Sequence, residues 1–319
     1  MNVHIPGWIK ILVKPRILIP ILLTGALLTF ALSISDLPLT MGYIRSLPLS
    51  NIVEAFALAL GYLLLKAIQF RFLLNALAIR PDWRKFLLAY CIGEMTLPIP
   101  SGIYAQNYVL RRIHGEKFAL SSAATTMTLF IEGALVLLTL IIMKIPHWDW
   151  LRYFIWIFFG VMALLLLLLV RSQRLRTLLT KERIGLSERL FRAARDLLAG
   201  LYTLIAPRIL FPSILLSIVY LSFLILAFFI VGRGVGITNL TLEQATTIYF
   251  FSLGVTLLLG GVMTQLGVSE VAGLGASPAW GYTLTEGLAM LLGFRIVWMG
   301  SVWLISGPVA WLLRGEFRR

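Results

Sequence analysis

The sequence predicts an all-α integral membrane protein with about six full transmembrane helices and two re-entrant hairpins built from broken helices. Three observations lead to this prediction: a low charge content, long apolar blocks, and breaks inside some of those blocks. Only 13% of the 319 residues are charged and 59% are apolar. Soluble domains carry about 25% charged residues. A soluble globular domain therefore accounts for almost none of the chain.

The apolar blocks have the length of membrane helices. Ile209–Val231, for example, contains no charged residue, and a helix needs about 20 apolar residues to cross the hydrocarbon core. Backbone polar groups cannot stay unpaired in lipid, and no alternating strand pattern is present, so the spans are predicted to be helices. The predicted full spans are Ile17–Ser35, Ser50–Leu77, Leu120–Met143, Trp150–Val170, Ile209–Val231 and Glu286–Leu313. The first of them is longer than the core of a signal peptide, and we interpret it as an uncleaved span.

The first predicted re-entrant segment is Phe86–Pro100. A helix of about 14 residues covers only about 20 Å, too little to cross the membrane. Pro98, Pro100 and Gly102 follow closely on one another, and prolines and glycines in such a cluster end a helix. The segment is therefore predicted to enter the membrane and stop at this break.

The second predicted re-entrant segment is Leu242–Trp280, which dips in from the opposite side. Gly260, Gly261 and Gly267 are its candidate break residues. An alternative stays open, in which Leu242–Met263 crosses fully and a weak span returns.

Basic residues predict the orientation. The chain has 28 Lys and Arg against 14 Asp and Glu, and most basic residues lie between the apolar blocks. Positive charge favours the cytoplasmic side, which places both termini in the cytoplasm and the protein in the cytoplasmic membrane. The basic loop 171–208 is predicted to be cytoplasmic and to contain an interfacial helix. No pattern typical of nucleic-acid binding accompanies the charge.

This topology divides one polytopic domain, 1–319, into two related halves. Each half has the order span, re-entrant hairpin, span, and the halves cover residues 50–144 and 209–313. Because one hairpin enters from the cytoplasm and the other from outside, the arrangement predicts an inverted-topology repeat, which is common among transporters.

Glu132 and Arg295 are the strongest candidates for function, since each lies inside a predicted span and a charge at the bilayer centre is costly. Two interpretations stay open. The two side chains form an ion pair that locks the halves together, or they face a water-filled cavity and contact a charged lipid headgroup.

Four further residues are candidate substrate ligands: Glu94, Arg111, Arg112 and Glu270. Glu94 and Glu270 lie at the breaks, where free backbone groups favour charged ligands, and their alternative role is capping or pairing with Arg111 or Arg112. Arg111 and Arg112 either hold a phosphate or anchor the protein at the membrane border. Lys66 is expected to extend to the membrane surface along its own side chain.

The sequence gives no reason to expect an enzyme, a cofactor or a metal site. It contains no phosphate-binding loop, nucleophile elbow or metal-ligand spacing, and its only cysteine, Cys91, lies in an apolar block. An intramembrane lipid-modifying enzyme stays open, because the membrane glutamates can supply acid and base groups.

Three places carry a resemblance to a known family. They are the break Leu97–Gly102 with the helix ending in Arg111–Arg112, the span segment Phe130–Gly133, and Leu266–Glu270 with the later Phe294–Arg295. Here the chain resembles the transmembrane region of lysylphosphatidylglycerol synthases and the wider group of flippase-like proteins that share it. Gly133 and Ser269 depart from that pattern, since both positions usually hold arginine.

The resemblance implies a lipid flippase or lipid transporter that moves an anionic or polyprenyl-linked lipid between leaflets. It implies the membrane region only, without the aminoacyl-transfer domain. A secondary transporter for a small polar solute and a non-catalytic membrane partner of a lipid-modifying enzyme remain as alternatives. A homo-oligomer also stays open.

Overall fold

The predicted all-α class is confirmed: the described residues form helices and connecting turns, with no strand among them. The computed structural model describes residues 15–99, 102–143, 145–150, 153–157, 160, 186–259 and 265–317. The helices that it bounds are α1 Pro15–Ser33, α2 Leu37–Arg45, α3 Leu49–Ala76, α4 Trp83–Thr96, α5 Ala105–His114, α6 Phe118–Ile142, α7 Leu186–Leu204, α8 Pro207–Gly234, α9 Leu242–Leu259, α10 Gln265–Ala276 and α11 Leu284–Leu313. Short 3₁₀ turns cover Gly102–Tyr104, Ser277–Trp280 and Arg314–Phe317.

Four of the described helices are long and apolar enough to cross a membrane, namely α3, α6, α8 and α11. Each coincides with a predicted span to within a few residues. The start of α11 is set by a capping box, in which the side chain of Thr283 accepts from the backbone N–H of Glu286 and the carboxylate of Glu286 accepts from that of Thr283. The chain is thus a multi-pass helical membrane protein.

The first predicted span coincides with α1, which is followed by a sharp bend. The axes of Leu22–Ser33 and α2 differ by 93°. Asp36 explains the bend, because its side chain accepts a hydrogen bond from Leu39 N at 3.0 Å and so begins a new helix. Most of the predicted span Trp150–Val170 lies outside the described residues.

Each half contains two short helices between two long ones. In the first half these are α4, with 14 residues, and α5, with 10 residues. In the second half they are α9, with 18 residues, and α10, with 12 residues. At 1.5 Å per residue, α4 is about 21 Å long and α10 about 18 Å long, both shorter than the hydrocarbon core.

The two predicted halves, 50–144 and 209–313, pack on each other in a reciprocal way. The most extensive contact joins α3 to α8, and the last long helix of each half packs on the first short helix of the other half, α6 on α9 and α11 on α4. Polar side chains support the α3–α8 contact: the Gln69 amide donates to Ser217 Oγ at 2.7 Å and to the Ser213 carbonyl at 2.8 Å. Such side chains hydrogen-bond across packed membrane helices.

The helix α7 supplies the described part of the basic loop, and residues 171–185 lie outside the described ones. It packs mainly on α6, where a Cβ added at Gly200 would meet Ala123 Cβ at 2.6 Å. Lys117 and Asp196 form an ion pair of 3.4 Å at this junction. The predicted interfacial position of the helix stays a prediction.

Candidate functional site

A polar cavity of about 750 Å³ lies between the two halves. Its walls come from α3, α4, α6, α8, α9 and α11, so neither half builds it alone. A smaller chamber of about 360 Å³ adjoins it and shares Lys66, Glu94 and Glu132 as lining residues. The charged residues of the cavity fall into two clusters, which differ in composition and in how completely their atoms are paired.

The first cluster is Lys66, Glu94 and Glu132, which are contributed by α3, α4 and α6. Lys66 Nζ lies 3.4 Å from Glu94 Oε1 and 3.6 Å from Glu132 Oε1. The three side chains are only 12%, 4% and 8% exposed. Lys66 Nζ also donates to the Tyr62 hydroxyl at 2.7 Å. A single ammonium group therefore serves two buried carboxylates.

Tyr220 ties this cluster to the second half of the molecule. Its hydroxyl, carried by α8, donates to Glu132 Oε1 at 2.8 Å and accepts from Ser217 Oγ at 3.1 Å. The ring of Tyr220 packs edge-on against Tyr62, with centroids 5.4 Å apart. The cluster is therefore held from both sides of the interface between the halves.

The second cluster is Glu270, Arg295 and Ser269. Arg295 Nε donates to Glu270 Oε1 at 3.0 Å, and Arg295 Nη2 donates to Ser269 Oγ. Glu270 Oε2 accepts from the Gly267 backbone N–H at 2.6 Å and from Ser269 Oγ at 2.8 Å. Both oxygens of Glu270 are thus occupied, and its side chain is only 1% exposed.

The two breaks that carry these clusters require glycine for different reasons. At Gly102 the chain folds back on α4, and an added Cβ would lie 1.7 Å from the Thr96 carbonyl oxygen. Gly267 has φ +85°, in the left-handed region that favours glycine. Pro98 lines the cavity next to the first break. The other predicted break residues, Pro100, Gly260 and Gly261, lie outside the described residues.

The structure brings four of the six predicted ligand residues together. Glu94, Glu132 and Arg295 line the cavity, and Glu270 holds the guanidinium of Arg295 in place. Arg111 and Arg112 do not line the cavity. They are exposed at the C-terminal end of α5, where Arg112 lies over the Phe317 ring at 5.7 Å.

Two of the pairings left open by the sequence do not occur. Glu132 and Arg295 do not form an ion pair with each other, because each pairs inside its own half, with Lys66 and Glu270 respectively. Neither Glu94 nor Glu270 pairs with Arg111 or Arg112. Glu94 pairs with Lys66, and Glu270 pairs with Arg295. Which charged residues form ion pairs depends on which helices pack against each other. This packing cannot be read from the order of the helices along the chain.

Lys66 is the main residue that sequence reasoning missed. Its predicted extension to the membrane surface is wrong, since its ammonium group lies between two buried carboxylates. The length of the helix was a signal against this extension. Helix α3 continues for ten residues beyond Lys66, to Ala76, and these residues add about 15 Å along the helix axis, farther than a lysine side chain reaches. Tyr62 and Tyr220 gave no comparable signal, since aromatic residues are common in apolar helices.

The cavity chemistry suits charged ligands more than metal ions. Within the described ranges, no three His, Cys, Asp or Glu side chains come together as a metal site would require. The position between Glu94 and Glu132 is already taken by the ammonium group of Lys66.

Most of the chain matches a known family. Residues 17–306 match the family model described as the lysylphosphatidylglycerol synthase TM region. The chain belongs to this family. No curated protein and no solved structure matches it. The match runs from α1 into α11, and it is a match to the membrane region of the family.

As a member of the lysylphosphatidylglycerol synthase TM family, the chain is a membrane protein of a lipid-related family. Its two departures from the usual motifs have different settings. Ser269 lies directly against Arg295 and Glu270. Gly133 adjoins Glu132 in a position with free space, where an added Cβ would meet Leu257 at 3.9 Å.

Proposed function

We propose that this protein moves a lipid between the two leaflets, with the headgroup in the central cavity and the acyl or prenyl chains outside it. The observation that carries the proposal is the contact between the charged cavity and an apolar groove. Leu221 of α8 lines both. A charged headgroup is costly in hydrocarbon, whereas an apolar chain is not, so a lipid needs these two environments side by side.

The groove has the character expected of a path for lipid chains. It lies between α6, α8 and α9, has a volume of about 800 Å³, and is lined mainly by apolar side chains. Ile218, Leu226 and Leu242 on its walls are 46%, 36% and 47% exposed. The groove is therefore open sideways toward the bilayer. A site for a small polar solute would instead be enclosed, and this difference favours a lipid over a solute.

The cations of the cavity suggest where a phosphate would bind. Arg295 carries a planar guanidinium suited to two parallel hydrogen bonds to phosphate oxygens. Glu270 and Ser269 hold that guanidinium at the cavity wall, so it is positioned before a ligand arrives. This supports an anionic phospholipid or a polyprenyl-linked phosphate as cargo. Any contact of Arg111 or Arg112 with a headgroup would take place at the protein surface, outside the cavity.

We further propose that the two halves are an inverted-topology repeat, with six full spans and two re-entrant hairpins. The equivalent packing of α6 on α9 and of α11 on α4 supports this, as do the short lengths of α4 and α10. In this topology both termini are cytoplasmic and the protein lies in the cytoplasmic membrane, as the distribution of basic residues favours.

Lipid exchange in reconstituted vesicles tests the function. The purified protein is placed in vesicles containing fluorescently labelled phosphatidylglycerol, phosphatidylethanolamine or a polyprenyl phosphate, and a membrane-impermeant quencher reports the outward-facing fraction. We expect the wild-type protein to expose the labelled lipid of the inner leaflet to the quencher. Exchange equal to that of protein-free vesicles with all three lipids would overturn the proposal.

A matched pair of variants tests the route. Ser222→Trp places a bulky side chain at an exposed position in the groove, and Leu64→Trp places the same side chain at a position on α3 that is 57% exposed. We expect exchange to fall at least about tenfold for Ser222→Trp, equivalent to about 1.4 kcal/mol, and to stay near wild type for Leu64→Trp. Equal exchange by the two variants would contradict a route through the groove.

A further inference from the structure

We propose that the first cluster is a proton-binding site, with Glu94 as the carboxyl group that takes up the proton from the cavity. The coupling of this proton to lipid movement rests on the proposed function, whereas proton binding itself does not.

The charge of the two clusters does not balance. Lys66 and Arg295 are the positive groups, and Glu94, Glu132 and Glu270 are the negative groups. All five side chains are at most 19% exposed. One negative charge in such a place is costly in the membrane interior. Binding one proton removes it, and an anionic headgroup then enters a cavity that no longer repels it.

The hydrogen bonds show where the proton goes. Glu94 Oε2 is buried and has no hydrogen-bond partner among the described residues. Glu132 Oε1 receives the Tyr220 hydroxyl, and both oxygens of Glu270 are occupied. A buried acceptor without a partner is unfavourable, because it has lost its hydrogen bonds to water and gained none in the protein. Glu94 lines both chambers of the cavity, so a proton reaches its carboxyl group from the cavity side.

The groups that face Glu94 favour a proton over a metal cation. On α3 and α4 they are Lys66, Tyr62, Tyr90 and Cys91, and across the cavity they are Glu132, Tyr220, Tyr249 and Arg295. The Tyr90 hydroxyl donates to the Leu63 carbonyl at 2.9 Å, and the Tyr62 and Tyr220 hydroxyls are engaged with Lys66 and Glu132. Lys66 Nζ already occupies the point between the two carboxylates. A proton needs no such space.

Proton binding by Glu94 and entry of the lipid phosphate occur together, so the site couples lipid movement to proton movement. When the cavity opens to the more acidic side, Glu94 takes up a proton and the phosphate enters beside Arg295. When it opens to the other side, both leave. The proton gradient then drives the lipid in the direction in which protons flow.

Infrared spectroscopy tests proton binding without any lipid transport. The wild-type protein in unlabelled vesicles is titrated with pH, and the C=O stretching band of a protonated carboxylic acid is followed. We expect a titrating band in the wild type, its loss in Glu94→Gln, and its return at a shifted frequency in Glu94→Asp. The control Glu54→Gln removes an exposed glutamate of α3 and keeps the band. An unchanged band in Glu94→Gln would overturn the assignment.

Exchange under an imposed pH gradient tests coupling. With labelled phosphatidylglycerol as probe, we expect wild-type exchange to change by up to about tenfold per pH unit, the mass action of one proton. Glu94→Gln is expected to lose this dependence, and Glu54→Gln to keep it. A wild-type exchange rate that is the same with and without the pH gradient would overturn the coupling. A titrating band without exchange of any lipid would overturn the proposed function and leave the proton site standing.

Discussion

The two charged clusters of the cavity lie in different parts of the chain and are built in opposite ways. In the second half, Arg295 and Glu270 form one ion pair, and backbone and hydroxyl groups satisfy both carboxylate oxygens. In the first half, Lys66 is shared between two carboxylates, and one oxygen of Glu94 has no partner among the described residues. The comparison indicates that the second cluster fixes geometry and the first is able to change its charge.

The origin of the difference lies on the first long helix of each predicted half. Helices α3 and α8 both have 28 residues, and Lys66 and Leu224 stand at the same position when counted from their N-terminal ends. Both side chains line the cavity. The first half therefore has a cation on its first long helix, whereas the second half has its cation, Arg295, on its last long helix.

The largest expected effect belongs to Glu270→Ala. This change leaves the Arg295 guanidinium largely buried without a counter-charge, and arginine cannot lose its proton. We expect a loss of about 3–5 kcal/mol in the free energy of unfolding, measured by denaturation in mixed micelles. Glu270→Gln keeps a hydrogen-bond acceptor and is expected to lose less. Equal stability of Glu270→Ala and wild type would show that the second cluster does not hold the site together.

A smaller and pH-dependent effect is expected for Lys66→Met. Two carboxylates then lose their shared cation, but protons can neutralise them. We expect the free energy of unfolding to fall by about 3 kcal/mol at neutral pH. This loss becomes smaller as the pH falls, because the folded variant then binds protons on its buried carboxylates. The double variant Lys66→Met/Glu94→Gln should recover part of the loss at neutral pH. A loss that does not vary with pH would mean that Lys66 acts through packing alone.

Tyr220→Phe is expected to have a moderate effect on the link between the halves. It removes the hydroxyl that donates to Glu132 at 2.8 Å but keeps the ring packed on Tyr62. A hydrogen bond to a charged group contributes about 1.5–3 kcal/mol, and Lys66 still faces Glu132, so we expect a loss near the lower value. The same denaturation measurement checks it. A loss in the free energy of unfolding as large as that of Glu270→Ala would mean that the first cluster stabilises the fold as much as the second.

The smallest effect is expected for Gly133→Ala, next to Glu132. An added Cβ meets only Leu257, at 3.9 Å, an ordinary contact. The free energy of unfolding should rise by no more than about 1 kcal/mol, because alanine loses less backbone entropy than glycine in a helix interior. A loss instead of this small gain would mean that the space beside Glu132 must stay open for the fold, and this would change the interpretation of the missing arginine at this position.

Several parts of the site were predictable from single residues. Glu132 and Arg295 interrupt apolar spans, and Glu94 and Glu270 adjoin breaks, so each stood out by the cost of a charge in lipid. Their partners were not predictable, because pairing depends on which helices pack against each other. Lys66 was assigned to the membrane surface because a long side chain can reach it from many positions.

The sequence by itself determined the class of the protein. Low charge and long apolar blocks are consequences of the solvent, since lipid accepts only helices or closed barrels with satisfied backbones. It also located the breaks, because proline and glycine act on their own backbone. The tertiary structure alone decided which charges pair, that one ammonium group serves two carboxylates, and that an apolar groove meets the cavity at Leu221. These features arise where distant helices come together, and the distance between two side chains in space is not a property of their local sequence.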